Sequence, residues 1–239
     1  MHWQFWGLAI GCWPLLLWQG RRVRKQALRL PEACGDRAGT VGQGQKLRLL
    51  ICGDSAAAGV GCAQQQQALA GQLVNQLAGQ AEVHWHLHAS TGLNSAELYQ
   101  QLQGLPASTL DWVVVSIGVN DVTELCPARR YRARMNALLQ LIEHRFDAPR
   151  VLLSAIPPMQ HFNALPAPLN YWLGLKARAL NHQLEQVLAN WPKASLVTAP
   201  AVLEHSMLAE DGFHPSPAGA SHWAALVADA MAVPEPECK

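Results

Sequence analysis

The stretch "LRLLICGDSAAAGVG", residues 47–61, reads as a buried strand that stops at a glycine and delivers a serine. Leu47 to Cys52 is apolar except for Arg48, the pattern of a parallel strand covered on both faces. Gly53, Asp54 and Ser55 follow, and then Ala56, Ala57, Ala58 and Gly59. A potentially nucleophilic hydroxyl thus stands at the carboxyl end of a strand among residues of almost no volume, and the small residues suggest a helix starting close beneath it.

Outward from this point, strand and helix patterns alternate. "AQQQQALAGQLVNQLAG" (63–79) has helical spacing, and "EVHWHLH" (82–88) alternates strictly, with Val83, Trp85 and Leu87 on one face and His84, His86 and His88 on the other. "DWVVVSIG" (111–118) is an apolar run suited to a central strand. Helices are expected over 128–146, about 168–190 and 217–232, and strands over 150–155 and about 194–199. Such alternation implies crossover connections, so the expected fold class is α/β: three layers, α/β/α, around a five-stranded parallel sheet. Ligands bind such sheets at the carboxyl ends of the strands, where the loops from Gly53, Ala89 and Gly118 should converge.

Those loops read "GDS" (53–55), "STGLN" (90–94) and "GVND" (118–121), and "DGFHPSPAG" (211–219) precedes the last helix. A serine hydroxyl becomes nucleophilic when an imidazole takes its proton and a carboxylate orients that imidazole. His214 and Asp211 could supply both from one loop. A developing oxyanion needs pre-aimed donors, which backbone N–H groups and an Asn amide can provide, and Gly92 and Asn120 are placed for that. Taken singly the motifs have plainer readings: G-D-S is an ordinary turn, Asp54 or Asp121 could cap a helix, and Asn120 could be a turn residue.

All four motifs, in this order, resemble the SGNH hydrolases, also called GDSL esterases and lipases. The resemblance runs from about Leu47 to the last helix and implies a flavodoxin-like SGNH fold. It also implies Ser55 as nucleophile and first oxyanion donor, Gly92 as second donor through its backbone N–H, and Asn120 as third through its side chain. Asp211 and His214 would be orienting acid and general base. Where the family's namesake tetrad has leucine, this chain has Ala56, which bears on the shape of the acyl pocket. The implied activity is a serine esterase acting on short- to medium-chain carboxylic esters through an acyl-enzyme. Lysophospholipase, thioesterase and carbohydrate O-deacetylase are alternatives within the family, and a non-catalytic binding module on the same fold is the alternative outside it. No cofactor and no metal are expected.

The rest of the chain bounds the setting. A net charge of +1 over 239 residues, with no basic run inside the folded part, argues against a nucleic-acid partner. The six cysteines form no C-x-x-C pair, and Cys52 lies inside a strand run. His84, His86 and His88 are spaced like metal ligands, but no carboxylate or cysteine motif accompanies them, and a solvated edge-strand face is the simpler reading. The loop 156–170, with Met159, Phe162 and Leu165, is read either as a wall of the acyl pocket or as a rigid connection.

Residues 1–25 are expected to form an apolar segment with a basic flank, "RRVRK", and 26–46 a glycine-rich linker. The domain is expected over 47–233 and a tail over 234–239. The charges follow the apolar run, opposite to a secretory signal. Sixteen residues from Trp3 to Trp18, interrupted by Pro14, fall short of the ~20 that span a bilayer. The expectation is therefore a cytoplasmic protein with a small acyl ester as substrate, its first segment either anchored to or lying on the inner membrane surface or packed on the domain as a surface helix.

Overall fold

Leu49 and Ile51 point to one side of the central sheet and Leu50 and Cys52 to the other, and none is more than 3% exposed. Both faces of this strand are therefore covered, as its unbroken apolar run requires. The structure, a computed structural model, describes residues 2–198 and 204–232; the expected tail 234–239 and Cys238 lie outside them.

The described elements run α1 (His2–Gln26), β1 (Ala38–Val41), β2 (Lys46–Gly53), α2 (Leu69–Leu77), β3 (Glu82–Ala89), α3 (Ser95–Gly104), β4 (Trp112–Ser116) and α4 (Val119–Thr123), and continue with α5 (Ala128–Arg145), β5 (Arg150–Ser154), α6 (Leu169–Leu188), β6 (Ala194–Val197) and α7 (Pro217–Ala232). The sheet order is β1-β3-β2-β4-β5-β6. The last five strands in that order are parallel, and they reverse winding direction between β2 and β4. This is the doubly wound, flavodoxin-like order, with its ligand crevice at the reversal. Helices α2 and α7 pack on one face, with Leu69, Leu73, Val74, Ala224 and Val227 in that core layer. Helices α3, α5 and α6 cover the other through Leu98, Leu102, Met135, Leu138, Leu180 and Leu184.

The expected three layers and five parallel strands are present, with two differences. A sixth strand, β1, pairs antiparallel with β3, so 26–46 is not a free linker. Its residues are all exposed, which removes the alternation by which a strand is recognised in sequence. With β1 outside it, β3 is not an edge strand either, and His84 bonds both Thr40 of β1 and Glu82. Secondly, residues 55–61 form successive turns instead of a helix, held by Ala58 N–H to Asp54 C=O (3.0 Å) and Val60 N–H to Ser55 C=O (3.0 Å). The helix proper begins at Leu69.

Helix α1 passes through Pro14 without ending and rests on the domain. Leu16 is buried, and the buried Gln19 side chain donates to Ala167 C=O (2.7 Å) and accepts from Leu169 N–H (3.3 Å). Among the described residues no helix is long and apolar enough to cross a membrane.

Candidate active site

The serine loop leaves β2 where β4 runs closest. A Cβ on Gly53 would fall 2.0 Å from Ser116 C=O, so only glycine lets the chain turn here, and the Asp54 N–H then donates to that same carbonyl (3.0 Å). Asp54 itself is buried, with one carboxyl oxygen accepting from Ala56 N–H (3.2 Å). Burial pushes its carboxyl up to about 7; repulsion from Asp121 adds to this and the Ala56 hydrogen bond partly opposes it.

Ser55 Oγ lies 2.9 Å from His214 Nε2, and His214 Nδ1 lies 2.5 Å from Asp211 Oδ2. The other Asp211 oxygen accepts from the N–H groups of Phe213 (2.9 Å) and His214 (3.0 Å), an Asx-type turn that closes the loop on itself. Burial alone would raise the Asp211 carboxyl, but the hydrogen bonds from the His214 ring and these two N–H groups outweigh it and hold it below its usual range. The ends of the loop are fastened by Ala209 N–H to His214 C=O (2.8 Å) and Ser216 N–H to Met207 C=O (2.9 Å). Ser216 Oγ then accepts from Gly219 N–H (3.1 Å) in the first turn of α7.

The other two sequence-derived residues meet at the neighbouring strand ends. Asn120, in α4, donates through Nδ2 to Leu93 C=O (2.8 Å), one residue from Gly92. One of its two amide hydrogens is thus committed to holding the loop. Asp121 does not cap a helix: Gly118 occupies that position, and Asp121 is fully buried. Its carboxylate accepts from Ser95 N–H (2.9 Å), Ser95 Oγ–H (2.7 Å) and Arg134 (3.1 Å). Those bonds tie the start of α3 to α4 and so join the loops of Gly92 and Asn120.

Glu32, from the supposed linker, accepts from both Thr91 N–H (2.7 Å) and Thr91 Oγ1 (2.8 Å). Arg37 pairs with Glu32 (2.9 Å) and donates to Ala89 C=O. Burial alone would raise the Glu32 carboxyl; the Thr91 and Arg37 contacts more than reverse this and leave it lowered. The segment before β2 therefore braces the Gly92 loop from outside.

Beside Ser55 and His214 opens a cavity of about 130 Å³. Ile117, Ile156, Phe162, Val197 and Leu226 give it an apolar wall, and Ser154 and Trp223 sit on it joined by an indole N–H to hydroxyl bond of 2.9 Å. The 156–170 loop contributes both to the cavity and to the core. Phe162 reaches the cavity and packs edge-on against Phe213 (4.9 Å), while Met159 and Leu165 are buried in the core. Among the described residues no group of three or more His, Cys, Asp or Glu side chains could hold a metal ion.

Comparison with known proteins agrees with this architecture. Solved structures similar in fold include the lipase/acylhydrolase from Enterococcus faecalis, at 17% identity over 77% of this chain and 95% of that one, with a TM-score of 0.60. The psychrotrophic esterase EstA from Pseudoalteromonas sp. gives 18% identity, 77% and 96% coverage and a TM-score of 0.59. Est24, a carbohydrate acetylesterase from Sinorhizobium meliloti, gives 18% identity, 78% and 98% coverage and a TM-score of 0.60. No curated protein matches the chain in sequence. The model of the GDSL-like lipase/acylhydrolase family matches residues 51–221, which run from the end of strand β2 into α7 and take in all four loops. The chain belongs to the GDSL-like lipase/acylhydrolase family and is, by that membership, a carboxylic-ester hydrolase.

Proposed function

We propose that this chain hydrolyses carboxylic esters of short to medium acyl chain through a covalent acyl-enzyme on Ser55. The observation that carries the reading is the unbroken hydrogen-bond chain from Ser55 Oγ through His214 to Asp211, opening onto an apolar cavity. As the Oγ–carbonyl bond forms, the hydroxyl proton passes to His214 Nε2, and the imidazolium is stabilised by Asp211. The oxyanion is received by the N–H groups of Ser55 and Gly92 and the free amide hydrogen of Asn120. His214 returns the proton to the leaving alcohol as the C–O bond breaks. Water, deprotonated by the same ring, then releases the acid and restores the serine.

The cavity argues for the acyl side. Its ~130 Å³ approaches the ~150 Å³ in which a benzene ring is accommodated, room for about six carbons. Its apolar wall favours an alkyl chain there over a sugar. The test is a profile of kcat/KM over p-nitrophenyl butanoate, octanoate, dodecanoate and hexadecanoate with the full chain. A maximum at the butanoate or octanoate end is expected; a maximum at hexadecanoate would overturn the chain-length reading.

A further inference from the structure

We propose that α1 docks on the surface of an anionic phospholipid bilayer, its apolar outer face entering the interface and its basic end meeting the headgroups. The middle of the helix is divided between two environments. Leu16 and Gln19 face inward and are buried against the domain, while on the other faces Trp13 (49%), Leu15 (42%), Leu17 (39%) and Trp18 (54%) are exposed. Four large apolar side chains exposed within six positions concentrate apolar surface of the kind that marks an interaction site. Tryptophan on such a patch suits the headgroup layer, where its ring is buried and its N–H is wet.

What covers the patch follows from its charge. Arg21, Arg22, Arg24 and Lys25 come directly after it, all exposed, and the helix contains no Asp or Glu. Arg22 lies over the Trp18 ring, 5.2 Å from its centroid, so the cationic and apolar blocks abut. An apolar block joined to a cationic collar complements an anionic membrane surface, hydrocarbon on one side and phosphate on the other. A second copy of this chain offers the first half of that match and repels the second.

The docking would also set the enzyme's orientation. Gln19 is fastened to Ala167 and Leu169, and Arg24 donates to Thr123 C=O (3.3 Å), three residues beyond Asn120. The helix is thus fixed to the chain segments that border the candidate active site and would hold that site near amphiphilic esters.

The experiment is co-sedimentation of the full chain with phosphatidylcholine vesicles, with and without phosphatidylglycerol, at low and high salt, beside sedimentation velocity without lipid. The parent is expected to bind the phosphatidylglycerol vesicles, and high salt should weaken this. Arg21→Gln/Arg22→Gln/Lys25→Gln should lose about a hundredfold in partitioning, at roughly fivefold per cation. Trp13→Ser/Trp18→Ser should bind weakly to both vesicle types. Circular dichroism and melting establish that each variant is folded. Ser55→Ala should bind like the parent, so the docking stands or falls apart from the catalytic reading. Absence of binding at low salt, binding indifferent to both salt and the triple substitution, or a dimer dissolved by the tryptophan substitutions would each overturn the proposal.

Discussion

The carbonyl of Pro215 lies where a side chain on Gly61 would have to be: a Cβ there would come within 2.4 Å of that oxygen and 3.4 Å of His214 Cβ. The serine loop and the histidine loop, far apart in sequence, are seated against each other at this bare stretch of backbone. Gly61 also has φ +99°, which a side chain adopts only under strain.

Gly61→Ala should therefore separate His214 from Ser55. The expected result is a kcat lower by on the order of 10²-fold, as for a displacement of about 1 Å at a reacting pair, with KM little changed. Melting should show a loss of about 1–3 kcal/mol from the strained backbone. Steady-state kinetics with a soluble ester, beside thermal melts, checks both.

Asp121 is the hinge-pin of the Gly92 and Asn120 loops, since its carboxylate holds Ser95 and Arg134 while the adjacent Asn120 holds Leu93. Asp121→Asn keeps the volume but turns one acceptor into a donor facing groups that already donate. The expected cost is about 2 kcal/mol of stability, below the ~3–5 of a fully buried pair because Arg134 is 27% exposed. A fall in kcat larger than the change in KM should accompany it. Ser95→Ala, which removes one of the three hydrogen bonds, should show the same pattern more weakly.

Trp223 lines the cavity, held in place by its bond to Ser154. Trp223→Ala should move the preferred acyl chain to a longer one, with kcat/KM rising for dodecanoate relative to butanoate. Trp223→Phe keeps the bulk without the N–H and should leave the preference near that of the parent. The ratio of the two ester rates is the measurement.

Asp54 makes stability depend on pH in a direction opposite to that of an ion-paired carboxylate. Its pKa rises from 3.8 to about 7 on folding because burial disfavours the charge. The folded chain therefore holds a proton that the unfolded chain has lost, and the contribution is full below the unfolded value and lost as pH rises through the folded one. Asp54→Asn never ionises. The difference in melting temperature, variant minus parent, should increase from pH ~4 to pH ~8 and level off beyond. A difference that stays flat over that window would contradict the buried, proton-holding carboxyl.

The parts legible in sequence are those in which a residue type and its periodicity carry the information alone. The run at 47–52 and that at 111–118 showed buried strands, and the loops after them carry Ser55 and Asn120 to the strand ends, where sheets of this winding take ligands. Asp211 and His214 lie three residues apart in one loop, a spacing that already allows the hydrogen bond they make. What stayed hidden depends on long-range partners. Strand β1 has no buried residue to mark it, and Glu32 matters only because β1 and its lead-in return to the Gly92 loop. Helix α3 had a local signal in Asn94 and Glu97, which form a capping box in the structure, but its apolar face is too short to show a clear period. Asp121 reads as a cap until Ser95 and Arg134 are seen to converge on it, and the role of Trp223 requires knowing that α7 lies beneath β5 and β6.

The most direct test of the central claim is active-site labelling of the full chain with a fluorophosphonate, followed by mass spectrometry of the peptide containing residue 55. The account predicts one stoichiometric adduct on Ser55, lost in Ser55→Ala and much slowed in His214→Ala, with ester hydrolysis falling by on the order of 10⁴-fold or more in both variants. An unlabelled Ser55 in a folded protein that still hydrolyses esters, or undiminished hydrolysis by Ser55→Ala, would contradict it.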